Sequence, residues 1–161
     1  MQFDKFTDYG LRVLIMLAVR APDRVATSEI ALTYGLSEHH LSKVATRLVA
    51  EGFVASERGR NGGLTLARSA AEITIGEVAR AMKRDDPVVE CFGTDTSCLI
   101  LPVCGLRGPL AQAQEAFFAT LDAYSLSDVT RARGALADLL NTKGAQDKAL
   151  KTSGKARRAH G

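Results

Sequence analysis

Apolar positions in the first half of the chain recur at helical spacing, and short polar breaks divide them into elements. Over residues 3–20, Leu11, Leu14, Ile15 and Ala18 share one face while Tyr9, Val13 and Leu17 make a second, which predicts a largely buried helix. APDR breaks it. TSEIALTYG reads as a short helix capped by Thr27 or Ser28 and stopped by Gly35. LSEHHLSKVATRLVAEG follows, with a cap at Ser37, apolar Leu41, Val44, Leu48 and Val49, and a stop at Gly52. Two short helices about a glycine turn, the second with a polar outer face, form a helix-turn-helix pattern. FVASE and LTLA are short strand candidates flanking RGRNGG, residues 58–63, whose glycines suit a tight turn. A helix-turn-helix followed at once by a hairpin with a basic tip predicts a winged helix, so the fold class is mainly α with a small β-hairpin wing.

Beyond the wing, Thr74 and Glu77 have capping-box spacing at the start of IGEVARAMKR, which ends at Asp85, Asp86 and Pro87. Leu106, Leu110, Ala113, Phe117, Leu121 and Tyr124 follow one another at steps of three or four and form a single long helical stripe. Ser125 and Asp128 predict the cap of a last helix through Leu140.

Composition changes this picture in two places. The 161 residues suffice for one domain with a core, or for a small domain plus an assembly element. The net charge is +3, but residues 141–161 hold six Lys or Arg against one Asp, a surplus of five, so the rest of the chain carries −2. Nucleic-acid binding by the folded part would therefore use a local basic surface. The tail reads as disordered and solubilising. No apolar run approaches the ~20 residues of a membrane span, and the start has no secretory layout, so a cytoplasmic protein with no membrane association is expected.

The reading surface expected for DNA is the outer face of the second short helix, with Ser37, His39, His40, Ser42, Lys43, Thr46 and Arg47, plus Arg58, Arg60 and Asn61 on the wing. Any one of these residues alone is more simply a solvated side chain. The adjacent His39 and His40 point about 100° apart on a helix, which excludes a joint metal site. RGRNGG lacks the order of a phosphate-binding loop.

All three cysteines lie in CFGTDTSCLILPVC, spaced C-x6-C-x5-C. An odd number of thiols in a reducing compartment argues against a disulfide framework. Mononuclear zinc sites use tighter pairs, whereas wide spacing suits an iron-sulfur cluster. Core thiols or a metal-free thiol redox sensor remain the bland alternatives, and a small electron carrier would hold a cluster without needing a wing. Activated thiol chemistry lacks a nearby base, so no enzyme is expected.

FTDYGLRVLIMLA, the helix-turn-helix, ERGRNGGLTLAR, ITIGEVAR, the three-cysteine loop and AFFATLDAYSLSDV together resemble the winged-helix iron-sulfur cluster transcription regulators, the family that includes IscR, RirA and NsrR, over residues 1–141. The likeness is greatest to the nitric-oxide-sensing repressors among them. The resemblance implies a winged helix-turn-helix DNA-binding domain at 1–85, a cluster-binding loop and dimerisation helices at 86–141, and a basic tail at 142–161. It implies a homodimer on a pseudo-palindromic double-stranded DNA operator, with nitric oxide as effector and iron or cluster status as the alternative signal. The cluster, 4Fe-4S or alternatively 2Fe-2S, would be bound by Cys91, Cys98 and Cys104. For the fourth ligand, the position where some members carry histidine holds Arg107, and the resemblance points instead to Asp8 of the other subunit. From the sequence alone, Asp8 reads as an ordinary ion-pair partner of Arg12, four residues on.

Overall fold

The computed structural model describes residues 3–59, 62–83, 87, 89–94 and 97–141. The wing-tip candidates Arg60 and Asn61, Asp85 and Asp86, Asp95, and the tail 142–161 lie outside the described residues. Helix α1 (Lys5–Arg20) is the centre of the fold and packs on α3 (Glu38–Ala50), α4 (Ile75–Met82), α6 (Leu126–Val129) and strand β2 (Gly63–Leu66). Its Val13, Leu14, Met16 and Leu17 are buried, and each such side chain contributes about 1.5–3 kcal/mol by leaving water. Asp4 caps the helix by accepting from the Thr7 N–H at 2.6 Å.

Helix α2 (Thr27–Tyr34) begins one residue earlier than expected, with Ala26 as its cap and no side-chain hydrogen bond there. The wing explains the difference. Val25 exchanges both backbone hydrogen bonds with Leu64 of β2, so the chain is extended through Val25 and Ala26 and turns helical at Thr27. Gly35 ends α2 in the left-handed conformation at φ 66°, which glycine alone adopts without steric cost, and sets the turn into α3. Strand β1 (Val54–Glu57) pairs antiparallel with β2, Val54 opposite Leu66 and Glu57 opposite Gly63.

Thr74 caps α4 as expected, accepting from the Glu77 N–H at 3.2 Å, while the Glu77 carboxylate takes Arg68 at 2.7 Å. Two 3-10 turns, Glu90–Phe92 and Leu101–Val103, occupy the cysteine loop and lead into α5 (Arg107–Asp122). The expected stripe on α5 is only half covered. Leu110, Phe117 and Leu121 are partly buried and Leu106, Ala113 and Tyr124 exposed, whereas Phe118, outside the stripe, is buried beneath Arg80 of α4.

The predicted last helix is broken. Helix α6 is a single turn, Thr130 leaves helical geometry at φ −111°, and residues 133–141 form a separate helical stretch. Arg133 then donates to the carbonyls of Val19 and Ala21 at the end of α1, and Leu140 enters the core, which holds the second stretch at its own angle.

Ser125 and Asp128 form a complete capping box on α6: the Asp128 carboxylate accepts from the Ser125 hydroxyl at 2.7 Å and backbone N–H at 2.9 Å. These bonds, chiefly the hydroxyl, together with Arg131, lower the Asp128 carboxyl from 3.8 to about 2. A depressed acid stabilises the fold above its unfolded pKa, and that contribution disappears as pH falls from 3.8 through about 2. Asp128→Asn is therefore expected to flatten the fall of the unfolding midpoint over that interval, measured by urea titrations at stepped pH. Parallel wild-type and variant curves would remove Asp128 from the acid response.

Candidate functional site

The helix-turn-helix is built by two opposed faces of α3. Leu41, Val44, Ala45 and Leu48 are buried against α1 and α2. Ser37, His39, His40, Ser42, Lys43 and Thr46 are exposed, as the sequence pattern predicts. Arg47 differs. Its guanidinium turns back to the end of α4, donating to the Ala81 carbonyl at 3.0 and 3.3 Å and pairing with Glu51 at 3.3 Å. Of these partners only Glu51, four residues on, was local enough to be visible in the sequence. The His39 and His40 rings lie 6.0 Å apart and tilted by 49°.

Grooves flank the exposed ridge of α3 on both sides, and their walls include residues that sequence reasoning missed. One, of about 410 Å³, lies between α3, the α2 start and the wing, with Thr27, Ser42, Thr46, Ser56 and Arg58 among its lining residues. The other, of about 280 Å³, lies between α3 and the first turns of α1, lined by Lys5, Phe6, Tyr9, His40, Lys43 and Val44.

In the cysteine loop, Cys91 sits in the first 3-10 turn, Cys98 between the turns and Cys104 just after the second. All three are half-buried thiols, none in a disulfide. The Glu90 carboxylate accepts from the Ser97 hydroxyl at 2.9 Å and clasps the ends of the Cys91–Cys98 segment. Apolar residues of the loop point outward in the single chain: Leu99 is 94% and Val103 85% exposed. The donor set is chemically suited to an iron-sulfur cluster, which thiolates hold. Among the described residues of one chain, however, no group of three or more His, Cys, Asp and Glu comes together as a metal site.

Asp8 lies on the outer side of α1, half-exposed, its carboxylate 2.9 Å from Arg12 Nε. That hydrogen bond is the main cause holding the Arg12 guanidinium above its ordinary pKa. An exposed i, i+4 pair of this kind is worth only about 0.3–0.5 kcal/mol.

A helix-turn-helix joined to an antiparallel hairpin, with a polar outer helix face that carries Lys43, defines a winged-helix DNA-binding protein. The chain belongs to the Rrf2 family of iron-dependent transcriptional regulators, whose model matches residues 3–132. It is 42% identical to the HTH-type transcriptional regulator NsrR of Geobacillus kaustophilus and also 42% identical to that of Bacillus subtilis, each over 145 residues covering 89% of this chain and 99% of the relative. Among solved structures it is similar to CymR, the global cysteine regulator of B. subtilis, with 26% identity and a TM-score of 0.64 over 82% of this chain and 98% of that one. The protein is accordingly a DNA-binding transcription regulator of the NsrR type. No helix among the described residues is long and apolar enough to cross a membrane.

Proposed function

We propose that the chain is a homodimeric, iron-sulfur cluster-dependent repressor that releases a pseudo-palindromic operator in response to nitric oxide. The observation that carries this reading is the cysteine loop: three half-buried thiols, chemically matched to a cluster, on a loop edged by exposed apolar side chains. Cys91, Cys98 and Cys104 would hold the cluster, with Asp8 of the partner subunit as fourth ligand. Release of Asp8 from Arg12 costs only a few tenths of a kcal/mol, so the ion pair does not oppose that role. When bound, the cluster would supply the iron at which nitric oxide acts. The residues of this chain supply the rest. The apolar rim at Leu99, Ile100 and Val103 excludes water from the loop once it is covered. The exposed side of the α5 stripe, with Leu106 and Tyr124, offers the surface for a second copy. On the DNA side, the exposed Ser37, His39, His40, Lys43 and Arg58 would meet the duplex, while Arg47 is committed to the α4 end.

The description of the family as iron-dependent favours a second reading, in which the cluster reports iron status instead of nitric oxide. Anaerobic purification decides between them: visible absorbance, iron and sulfide counts, and operator affinity before and after nitric oxide or an iron chelator. A cluster whose exposure to nitric oxide abolishes operator binding is the expected result. Loss of binding with the chelator alone would favour iron status. Binding that responds only to thiol oxidants, with no absorbance, would leave a thiol sensor.

A further inference from the structure

The two grooves beside α3 are unlike in chemistry, and their placement relative to the reading ridge gives each a partner. With about 100° between successive helix positions, Ser42, Thr46, His39 and Lys43 form one continuous ridge. Ala45 and Val49 fall on one flank of it and His40 and Val44 on the other. The α3–wing groove opens on the first flank and the α1–α3 groove on the second. A helix with its side chains is about 10–12 Å across and the DNA major groove about 12 Å wide. A reading helix therefore fills the groove, and the two sugar-phosphate strands must run along its flanks.

We propose that the α1–α3 groove seats one sugar-phosphate strand of the bound duplex, making Lys5 of α1 a phosphate contact, and that the α3–wing groove seats the opposite strand through Arg58, Thr27 and Ser56. The inference rests on the reading that α3 enters the major groove. The α1–α3 groove has a floor of Phe6, Tyr9 and Val44, suited to the apolar face of a deoxyribose, beneath the cationic Lys5 and Lys43 and the imidazole of His40. The α3–wing groove carries one guanidinium and a set of hydroxyls. There Ser42 and Thr46 already donate to backbone carbonyls on α3, which leaves Thr27 and Ser56 as the hydroxyl donors. The start of α2 adds backbone N–H groups that no side chain caps. Lys5 and Thr27 both lie outside the helix and wing that carry the sequence-based reading surface, and so does the contact they provide. Phosphate contacts of this kind position a protein on its site without reading bases.

The two seats predict different salt behaviour. Each neutralised phosphate contributes about −0.9 to the slope of log affinity against log salt, whereas a hydroxyl donor contributes none. Full-length wild type, Lys5→Gln, Arg58→Gln, Thr27→Val and Ser56→Ala are titrated across salt against an operator duplex that wild type selects from a random pool, and against a scrambled duplex. Thermal unfolding checks that each variant is folded. Lys5→Gln is expected to weaken both duplexes by a similar factor, roughly fivefold per chain at physiological salt, and to reduce the slope by about 0.9 per chain. Thr27→Val and Ser56→Ala are expected to weaken binding with the slope unchanged. If Arg58→Gln lowers the slope and Lys5→Gln does not, α1 lies off the DNA and the first seat is overturned while the winged-helix reading stands. If neither lowers it, the entry of α3 itself is overturned. Loss at Lys5 confined to the operator would make it a base contact and equally overturn the seat. Unchanged affinity in both hydroxyl variants would remove the second.

Discussion

Gly76→Ala is expected to destabilise the folded chain by about 3 kcal/mol, the upper part of the range for overpacking. Gly76 is buried in the first turn of α4, where a Cβ would fall on the Asp122 carboxylate and lie 2.7 Å from both the Asp122 backbone nitrogen and its Cγ. Nothing on the α5 side is free to give way. Asp122 is held by Arg80 at 2.7 Å, the Ile75 N–H donates to the Tyr124 carbonyl at 2.9 Å, and the Leu126 N–H donates to that of Ile73 at 2.7 Å. The usual gain of about 0.5–1 kcal/mol from replacing a helical glycine by alanine opposes this clash but is smaller. Gly10 supplies the control. A Cβ there meets Met82 Cε at 2.8 Å, the far end of a flexible side chain, so Gly10→Ala is expected to be nearly neutral. Urea unfolding midpoints separate the two. Equal midpoints for the two variants would show that the α4–α5 junction yields as easily as a methionine, and the rigid account of it would fall.

The junction was not legible in the sequence, and the reason is general to this chain. ITIGEVAR announces a capped helix, and the structure keeps that cap at Thr74, because capping is a contest among neighbours three residues apart. The same locality made Gly35, the two strands and the outer face of α3 readable. What failed depended on partners distant in sequence. Ala26 caps α2 because Val25 is tied to Leu64. Arg47 leaves the reading face because the Ala81 carbonyl, at the end of another helix, is within its reach. The sequence reads as one helix from the Ser125 cap through Leu140, yet Arg133 and Leu140 find partners on α1 and in the core that one straight helix does not supply. The α5 stripe shows the limit from the other side: periodicity groups Leu106 through Tyr124 on one face but cannot name what covers it. The α1–α3 groove escaped for the same reason, since nothing in the spacing brings Lys5 beside Lys43.

At the cysteine loop, alanine in place of Cys91, Cys98 or Cys104 is expected in each case to abolish visible absorbance in the anaerobically purified protein, together with the part of operator affinity that depends on it. Thiolate supplies most of the binding to an iron-sulfur cluster, and three thiols leave none in reserve. Asp8→Ala should behave differently. On the proposed reading it removes the one carboxylate donor, a harder and weaker partner for such iron than sulfur, so the three thiolates still hold the group. The expected result is retained absorbance with altered circular dichroism, altered reactivity toward nitric oxide and weaker coupling to DNA. The loss of the exposed pair with Arg12 costs only a few tenths of a kcal/mol, so stability barely moves. Arg12→Ala breaks the same ion pair but leaves the carboxylate in place, and its spectrum should stay that of wild type. An Asp8→Ala spectrum and nitric oxide response identical to wild type would assign the carboxylate to Arg12 alone and turn the search for a fourth ligand to Glu90 and Asp95, near the cysteines in sequence. A single essential cysteine, with the other two dispensable, would replace the cluster by a thiol sensor.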